Sequence, residues 1–131
     1  MATSSIPSNS LTGTTGNDTL AGGGAVNSFI QGLQGNDTIT LNAAGDWASG
    51  EAGDDLIINN SALTSLSGSV AGGDGADSIT LTGALSTVQG AYQGNAGNDT
   101  IRLGSVGTSV GAFFGGGAGT DSIFVNSAAF V

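Results

Sequence analysis

Apolar side chains recur in this chain at two-residue steps on either side of a repeated turn, without a helical period. A branched aliphatic residue stands two positions after a recurring aspartate. These residues are Leu20, Ile39, Ile57, Ile79, Ile101 and Ile123. A second apolar column, upstream of the turn, comprises Leu11, Ile30, Ala48, Val70, Tyr92 and Phe114. A third comprises Val26, Ala44, Leu66, Val88 and Val110. Even spacing puts the members of each strand on one face, so each repeat reads as turn, strand, turn, strand.

The turn itself has the pattern G-x-x-G-x-D, which occurs six times. The copies span residues 13–18, 32–37, 50–55, 72–77, 94–99 and 116–121, and their aspartates are 19, 18, 22, 22 and 22 residues apart. One repeat has too little apolar surface for a core, so the repeats must stack. We therefore predict an all-β fold, a parallel β-roll or β-solenoid of about six coils. At about 4.8 Å per layer its core would be roughly 30 Å long.

The repeats divide the chain into a leader at residues 1–9, a solenoid at 10–125 and a tail at 126–131. Small residues separate the second and third apolar columns, as a narrow interior requires: Ser28, Gly68, Gly90 and Ala112. Asp46 falls in the same column and fits poorly, which predicts a register shift in the short third repeat. Phe29, Trp47 and Phe113 are expected to point outward.

The composition narrows the possible functions. The chain of 131 residues has 25 glycines, one basic residue (Arg102), no His or Cys, and a net charge of −9. Binding to nucleic acid is not expected, since almost nothing can neutralise phosphate. The usual general bases and activated nucleophiles are missing, so we predict that the protein is not an enzyme. Membrane insertion is not expected either, because no apolar run is long enough to span a bilayer.

The acidic side chains concentrate in the turns, where nine of the ten lie. In stacked coils the six aligned aspartates would be about 5 Å apart and would repel each other without a counter-charge. Calcium meets this need, because it accepts six to eight oxygens from carboxylates and backbone carbonyls. One ion between each pair of neighbouring loops gives about five ions per chain, and one more could be shared between subunits. Magnesium demands stricter geometry, and zinc lacks nitrogen and sulfur ligands here.

The predicted metal site consists of the glycines and the aspartate that recur in each of the six turns. The carboxylate ligands are Asp18, Asp37, Asp55, Asp77, Asp99 and Asp121. The glycines are Gly13, Gly16, Gly32, Gly35, Gly50, Gly53, Gly72, Gly75, Gly94, Gly97, Gly116 and Gly119. Glu51, Asp54 and Asp74 either add ligands or only add negative potential. The competing explanation is that Gly and Asn-Asp merely form good turns. It leaves the aspartate unexplained, because Asn or Ser would turn equally well without the repulsion.

The segments "GGDGADSI" at 72–79 and "GGAGTDSI" at 116–123 resemble the repeats-in-toxin (RTX) nonapeptide G-G-x-G-x-D-x-U-x. The resemblance implies calcium bound between the coils of a parallel β-roll. It also implies type I secretion without an N-terminal signal peptide, and therefore an extracellular or cell-surface location. The N-terminus has no basic and apolar signal pattern, which agrees with this.

One departure from that family concerns the second edge of the roll. Family members carry calcium loops on both edges, whereas the intervening turns here contain no G-x-x-G-x-D. We therefore expect calcium along one edge only. A one-edged row of this kind also resembles ice-binding solenoids of bacterial adhesins. That alternative is weaker, because the third residue of the loop is not regularly threonine from one loop to the next.

These features favour a secreted calcium-binding structural protein. A solenoid without capping elements exposes strand edges and apolar columns at its ends, and head-to-tail contacts that do not close produce filaments. We expect the protein to fold on calcium and to associate with itself end to end, as a filament, matrix or surface layer. The alternative is a monomeric calcium-dependent adhesin or spacer module.

Overall fold

The computed structural model describes residues 10–24 and 27–127, with the backbone alone for 105–110 and 127. The predicted leader at 1–9, Val26, and the end of the predicted tail at 128–131 lie outside the described residues. This part of the chain is a parallel β-solenoid of about five turns. It contains strands and turns but no helix, so the predicted all-β fold is confirmed. Among the described residues, accordingly, no helix is long and apolar enough to cross a membrane.

Two parallel sheets form the sides of the solenoid. The first sheet stacks six strands: β1 (Ser10–Thr12), β3 (Phe29–Gln34), β5 (Trp47–Ala52), β8 (Val70–Asp74), β11 (Ala91–Ala96) and β13 (Phe113–Ala118). The second stacks β2 (Thr19–Ala21), β4 (Thr38–Leu41), β6 (Leu56–Asn59), β9 (Ser78–Leu81), β12 (Thr100–Val110) and β14 (Ser122–Ser127). The last strand runs two residues beyond the predicted end of the solenoid at residue 125.

The longer repeats build a third side that the shorter ones lack. Strand β7 (Ser65–Leu66) pairs with β10 (Leu85–Val88), and β10 pairs with the end of β12 at Val106–Val110. These three segments lie in the three 22-residue intervals between aspartates. The extra residues therefore add one short β segment to each of these three coils, whereas the 18-residue coil passes from β4 to β5 without one.

The described members of the predicted apolar columns form the core, except in the third column at Ala44, which is half-buried while its neighbour Ala43 is buried instead. Neighbouring members pair in register, such as Leu20 with Ile39 and Ile39 with Ile57. Leu20, Ile39, Ile57, Ile79 and Ile101 are all fully buried. Each such side chain contributes about 1.5–3 kcal/mol through the hydrophobic effect. In the second column the ring of Tyr92 stacks on Phe114, and the Tyr92 hydroxyl donates a hydrogen bond to the Gln89 carbonyl.

The two described ends of the core differ. Leu20 is fully buried although β2 is an outermost strand, whereas its counterpart Ile123 on β14 is 41% exposed. Phe114 and Val125 on the same last coil are only partly buried against the core. Phe29, Trp47 and Phe113 point outward from the first sheet, as expected.

Candidate metal site

The six G-x-x-G-x-D loops lie along one edge of the solenoid. The first loop follows β1, whereas the first three residues of each of the other five loops form the end of a strand of the first sheet. Every loop leads into a strand of the second sheet. Because the strands on both sides pair in register, the loops stack directly on one another. The carboxyl groups of Asp18, Asp37, Asp55, Asp77 and Asp99 are almost completely buried. Asp121, in the last loop, is partly exposed.

A ladder of hydrogen bonds links these aspartates. From Asp37 onward, the Oδ1 atom of each aspartate accepts a hydrogen bond from the backbone N–H of the aspartate in the preceding loop. This contact occurs between all five successive pairs from Asp18 to Asp121, at 2.7–2.9 Å. Asn could also accept this bond. The ladder therefore accounts for an oxygen at the position, but it does not explain a charged carboxylate.

The second carboxylate oxygen supplies the reason for a charge. Within the described part of the chain, Oδ2 of Asp37, Asp55, Asp77 and Asp99 is buried and accepts no hydrogen bond. A buried anionic oxygen without a partner is costly. Burial raises the pKa of all four carboxyl groups, that of Asp77 to about 6, although the N–H donor lowers it and neighbouring carboxylates raise it further. A bound cation would remove this cost.

The first glycine of each loop leaves a space beside Oδ2 of the aspartate that a Cβ atom would fill. A Cβ atom at Gly50 would collide with Oδ2 of Asp55 and would lie 2.6 Å from the carbonyl oxygen of Gly72 in the next loop. At Gly32 the same position would meet Oδ2 of Asp37 and, at 2.7 Å, the carbonyl oxygen of Gly50. A carboxylate oxygen and a carbonyl oxygen thus converge on one space between loops, which is the donor set that calcium prefers. The equivalent Gly13, Gly72, Gly94 and Gly116 also face the carboxylate of their own loop.

The glycine at the fourth position of the motif has a structural role in five of the six loops. Gly35, Gly53, Gly75, Gly97 and Gly119 have φ angles of 106–139° and pack on the backbone of the preceding loop. A side chain there would be strained and would collide with that backbone. Gly16 differs: its φ lies outside this range, and a Cβ would have only the Thr14 hydroxyl near it, at 3.9 Å.

The first loop is closed by its own threonine. Both the backbone N–H and the hydroxyl of Thr14 donate hydrogen bonds to Oδ2 of Asp18. The N–H of Gly16 in turn bonds to the Thr14 hydroxyl. Asp18 and Gly16 therefore sit in a loop of different construction from the other five. The sequence motif, which is the same in all six copies, did not reveal this difference.

A second, outer ladder of hydrogen bonds links the loops, and it was not predicted from the sequence. The side-chain oxygen of the residue before the aspartate accepts a hydrogen bond from the backbone of the following loop. Asn17 bonds Asn36 in this way, Asn36 bonds Asp54, Asp54 bonds Ala76, and Asn98 bonds Thr120, at 2.8–3.0 Å. Ala76 has no side-chain oxygen to offer Asn98. The available signal in the sequence is the Asn or Asp that precedes the aspartate in four of the six loops.

The opposite edge repeats this construction once, around Asp46. Oδ1 of Asp46 accepts a hydrogen bond from the N–H of Ser28, and the N–H of Gly45 bonds to the side chain of Asn27. These are the contacts of both ladders. Here, however, Oδ2 of Asp46 accepts two further bonds, from the N–H groups of Asn42 and Ala43, at 2.8 Å each. Asp46 does occupy the inward column, and β3 and β5 pair in register directly after it, so the predicted register shift of the third repeat is wrong. The local hydrogen bonds of Asp46 explain why it is tolerated there.

The two edges therefore differ in one respect. Within the described residues, the protein donates hydrogen bonds to both carboxylate oxygens of Asp46, but to only one oxygen of Asp37, Asp55, Asp77 and Asp99.

Glu51, Asp54 and Asp74 are exposed, and Glu51 accepts a hydrogen bond from the Gln31 amide. Among residues 10–24 and 27–127, no three His, Cys, Asp or Glu side chains lie together as a metal cluster. Carbonyl oxygens would therefore have to complete any calcium site.

Comparison with known families agrees with this architecture. The RTX calcium-binding nonapeptide repeat matches the chain in four copies, over residues 8–29, 22–57 and 92–105. The segments at 72–79 and 116–123, which carried the resemblance in the sequence, lie outside these ranges. Comparisons with curated proteins and with solved structures gave no match. The repeats indicate a calcium-binding protein. The chain therefore carries repeats of the RTX calcium-binding family, folded as a parallel β-solenoid.

Proposed function

We propose that this protein is an extracellular structural rod that folds on calcium and associates end to end. The observation that carries the proposal is the row of buried Oδ2 atoms on Asp37, Asp55, Asp77 and Asp99. One calcium ion between each pair of neighbouring loops would join a carboxylate of one loop to a carbonyl of the next. Five such ions supply about ten positive charges against the nine acidic side chains of the loops.

Calcium would also tie folding to the ion concentration. Without the ion, stacking of the coils buries charged oxygens that have no partner, which opposes the hydrophobic gain from the aliphatic columns. With the ion, each site contributes its binding free energy to the folded state alone. A chain that folds only where calcium is abundant suits a type I secretion route, in which the unfolded polypeptide leaves the cell.

The last coil supports self-association. It exposes Ile123 at the end of the aliphatic column, and the outer edges of β13 and β14 have no further strand beside them among the described residues. The N–H of Asp121 points to where a following loop would offer its carboxylate, by continuation of the ladder. The coil of a second copy stacked there would cover Ile123 and complete one more calcium site.

The calcium part of the proposal is tested by comparing Asp77→Asn with Asp46→Asn. Removing the charge of Asp77 should raise the calcium concentration at the folding midpoint, but should stabilise whatever structure remains in chelator. Asp46→Asn replaces an acceptor of two hydrogen bonds by a donor, which should cost about 2–4 kcal/mol both with calcium and in chelator. Far-UV circular dichroism during calcium titration measures both effects. An Asp77→Asn protein that needs no more calcium than the wild type would contradict the assignment.

Self-association is tested separately, by sedimentation velocity and negative-stain microscopy in millimolar calcium. Ile123→Lys should shift the protein to monomers, because it places a charge in the end-to-end contact. Leu56→Lys is the matched control, since Leu56 is 39% exposed but lies on the side of the rod. A wild-type protein that stays monomeric at high concentration while folded with calcium would refute assembly and favour the adhesin or spacer alternative.

A further inference from the structure

The outer face of the first sheet carries exposed aromatic side chains in one column. Phe29 and Trp47 are neighbours in register on β3 and β5, and Phe113 stands on β13 beside Ala91 of β11. Trp47 is 54% and Phe113 59% exposed. The two intervening coils place only Ser69 and Ala91 in this column. The face therefore has two aromatic platforms, three coils or about 14 Å apart, with small residues between them.

The platform at Phe113 borders a shallow groove. The ring folds down over Gly115, whose Cβ position would lie 2.9 Å from Cε1 of Phe113. Because Gly115 has no side chain, the ring can lie against the backbone and present its other face to solvent. Gln93, Asn95 and Gly117 complete the groove, so its described lining is neutral and offers two amide side chains next to the ring.

The platform at Phe29 and Trp47 has a similar polar neighbour. Gln31 follows Phe29 on the outer face of β3, and its amide donates a hydrogen bond to Glu51 on β5. The oxygen of the same amide can accept a hydrogen bond from a hydroxyl group. Each platform thus combines a ring face, which packs against apolar C–H surfaces, with an amide that bonds hydroxyl groups.

We infer that this face binds a linear neutral polysaccharide. A sugar ring presents C–H groups on its faces and hydroxyl groups around its rim, which matches a ring platform beside an amide. The net charge of −9 disfavours acidic polymers. A protein partner would call for a continuous apolar centre, whereas Ser69 and Ala91 interrupt this column. The two platforms would engage separate units of one chain, so that each strengthens the other through linkage.

The inference requires the calcium-folded solenoid but not its self-association. The experiment is affinity electrophoresis in calcium through gels that contain hydroxyethylcellulose, xyloglucan, galactomannan or dextran. At least one of these polymers should retard the wild-type protein. Trp47→Ala and Phe113→Ala should each weaken binding about threefold to tenfold, the double variant should abolish it, and Phe113→Trp should retain it.

Phe124→Ala is the matched control, because Phe124 is 49% exposed but lies on the second sheet against Arg102. It should bind as the wild type does. Calcium titration of the same samples shows whether each variant is folded, so a failure of calcium binding would be recognised independently. No retardation in any of the four gels, an equal loss in Phe124→Ala, or aromatic-dependent self-association in place of sugar binding would overturn the inference.

Discussion

The two motif glycines Gly75 and Gly16 give the sharpest test of the loop geometry. They hold the same place in G-x-x-G-x-D, and the sequence treats them as equivalent. Gly75 has a φ of 136°, and a Cβ there would collide with the carbonyl oxygen of Gly53 in the preceding loop. Gly16 has neither restriction. Gly75→Ala should therefore be severely destabilising, whereas Gly16→Ala should be tolerated.

The expected magnitudes follow from the backbone and the contact. A non-glycine residue held in a sparsely populated backbone region costs about 1–3 kcal/mol, and moving the neighbouring loop away from the new methyl group adds to this. We expect Gly75→Ala to cost roughly 3–4 kcal/mol in all, which lowers the melting temperature by about 10–15 °C in a domain of this size. Gly16→Ala should lie between no effect and a gain of about 1 kcal/mol, because alanine restricts the unfolded chain.

The assay is thermal unfolding of both variants in millimolar calcium, followed by circular dichroism, with a calcium titration at low temperature. Gly75 packs against the preceding loop, and the two loops would share an ion of the proposed row. Gly75→Ala should therefore also raise the calcium concentration needed for folding. Equal melting temperatures of the two variants would refute the stacking described for the loops. A large loss in Gly16→Ala would show that the first loop resembles the others and is not closed by Thr14.

Three further expectations concern single contacts. Ala76→Asn should stabilise the protein by about 0.5–1.5 kcal/mol in chemical denaturation, because it restores the outer-ladder acceptor for Asn98; no gain would contradict that ladder. In chelator, folding should improve on acidification. The raised pKa of Asp77, about 6, means that its contribution is complete below the unfolded value near 3.8 and is lost as pH rises through 6. A circular dichroism signal that falls on acidification would contradict this. Tyr92→Phe should cost about 0.5–1.5 kcal/mol through its bond to Gln89, and an unchanged melting temperature would exclude that contribution.

Much of the fold follows from local pattern. Ile39 and its equivalents stand two residues after the aspartate of each loop, which favours parallel coils in register. This arrangement buries every member of the column except Ile123 on the last coil. The same alignment puts the aspartates of the loops in one row. Periodicity is a property of the sequence itself, so these features could be predicted without tertiary information. The outward position of Trp47 and Phe113 followed from the same alternation.

The partners of individual atoms could not be predicted in this way. The motif is the same around Asp18 and Asp77, yet Thr14 closes the first loop while the other loops stack with left-handed glycines. Asp46 does not fit the pattern of small residues in its column, yet its oxygens accept three backbone N–H groups. Such bonds depend on the fold of a single turn, on a neighbouring coil, or on the position of the loop in the stack.

The sequence alone thus determined the number of loops, the direction of the apolar columns and the concentration of charge at one edge, because all three are periodic. Only the tertiary structure decided which carboxylate oxygens are satisfied by the protein. Oδ1 of Asp77 accepts a hydrogen bond from a backbone N–H and Oδ2 accepts none from the described residues, whereas both oxygens of Asp46 are bonded. That distinction depends on contacts of about 3 Å that the motif does not specify. The turn at Asn42 and Ala43 brings two N–H groups to Oδ2 of Asp46, while the G-x-x-G-x-D loop brings none to Oδ2 of Asp77, which is the physical reason to expect cations at one edge and not at the other.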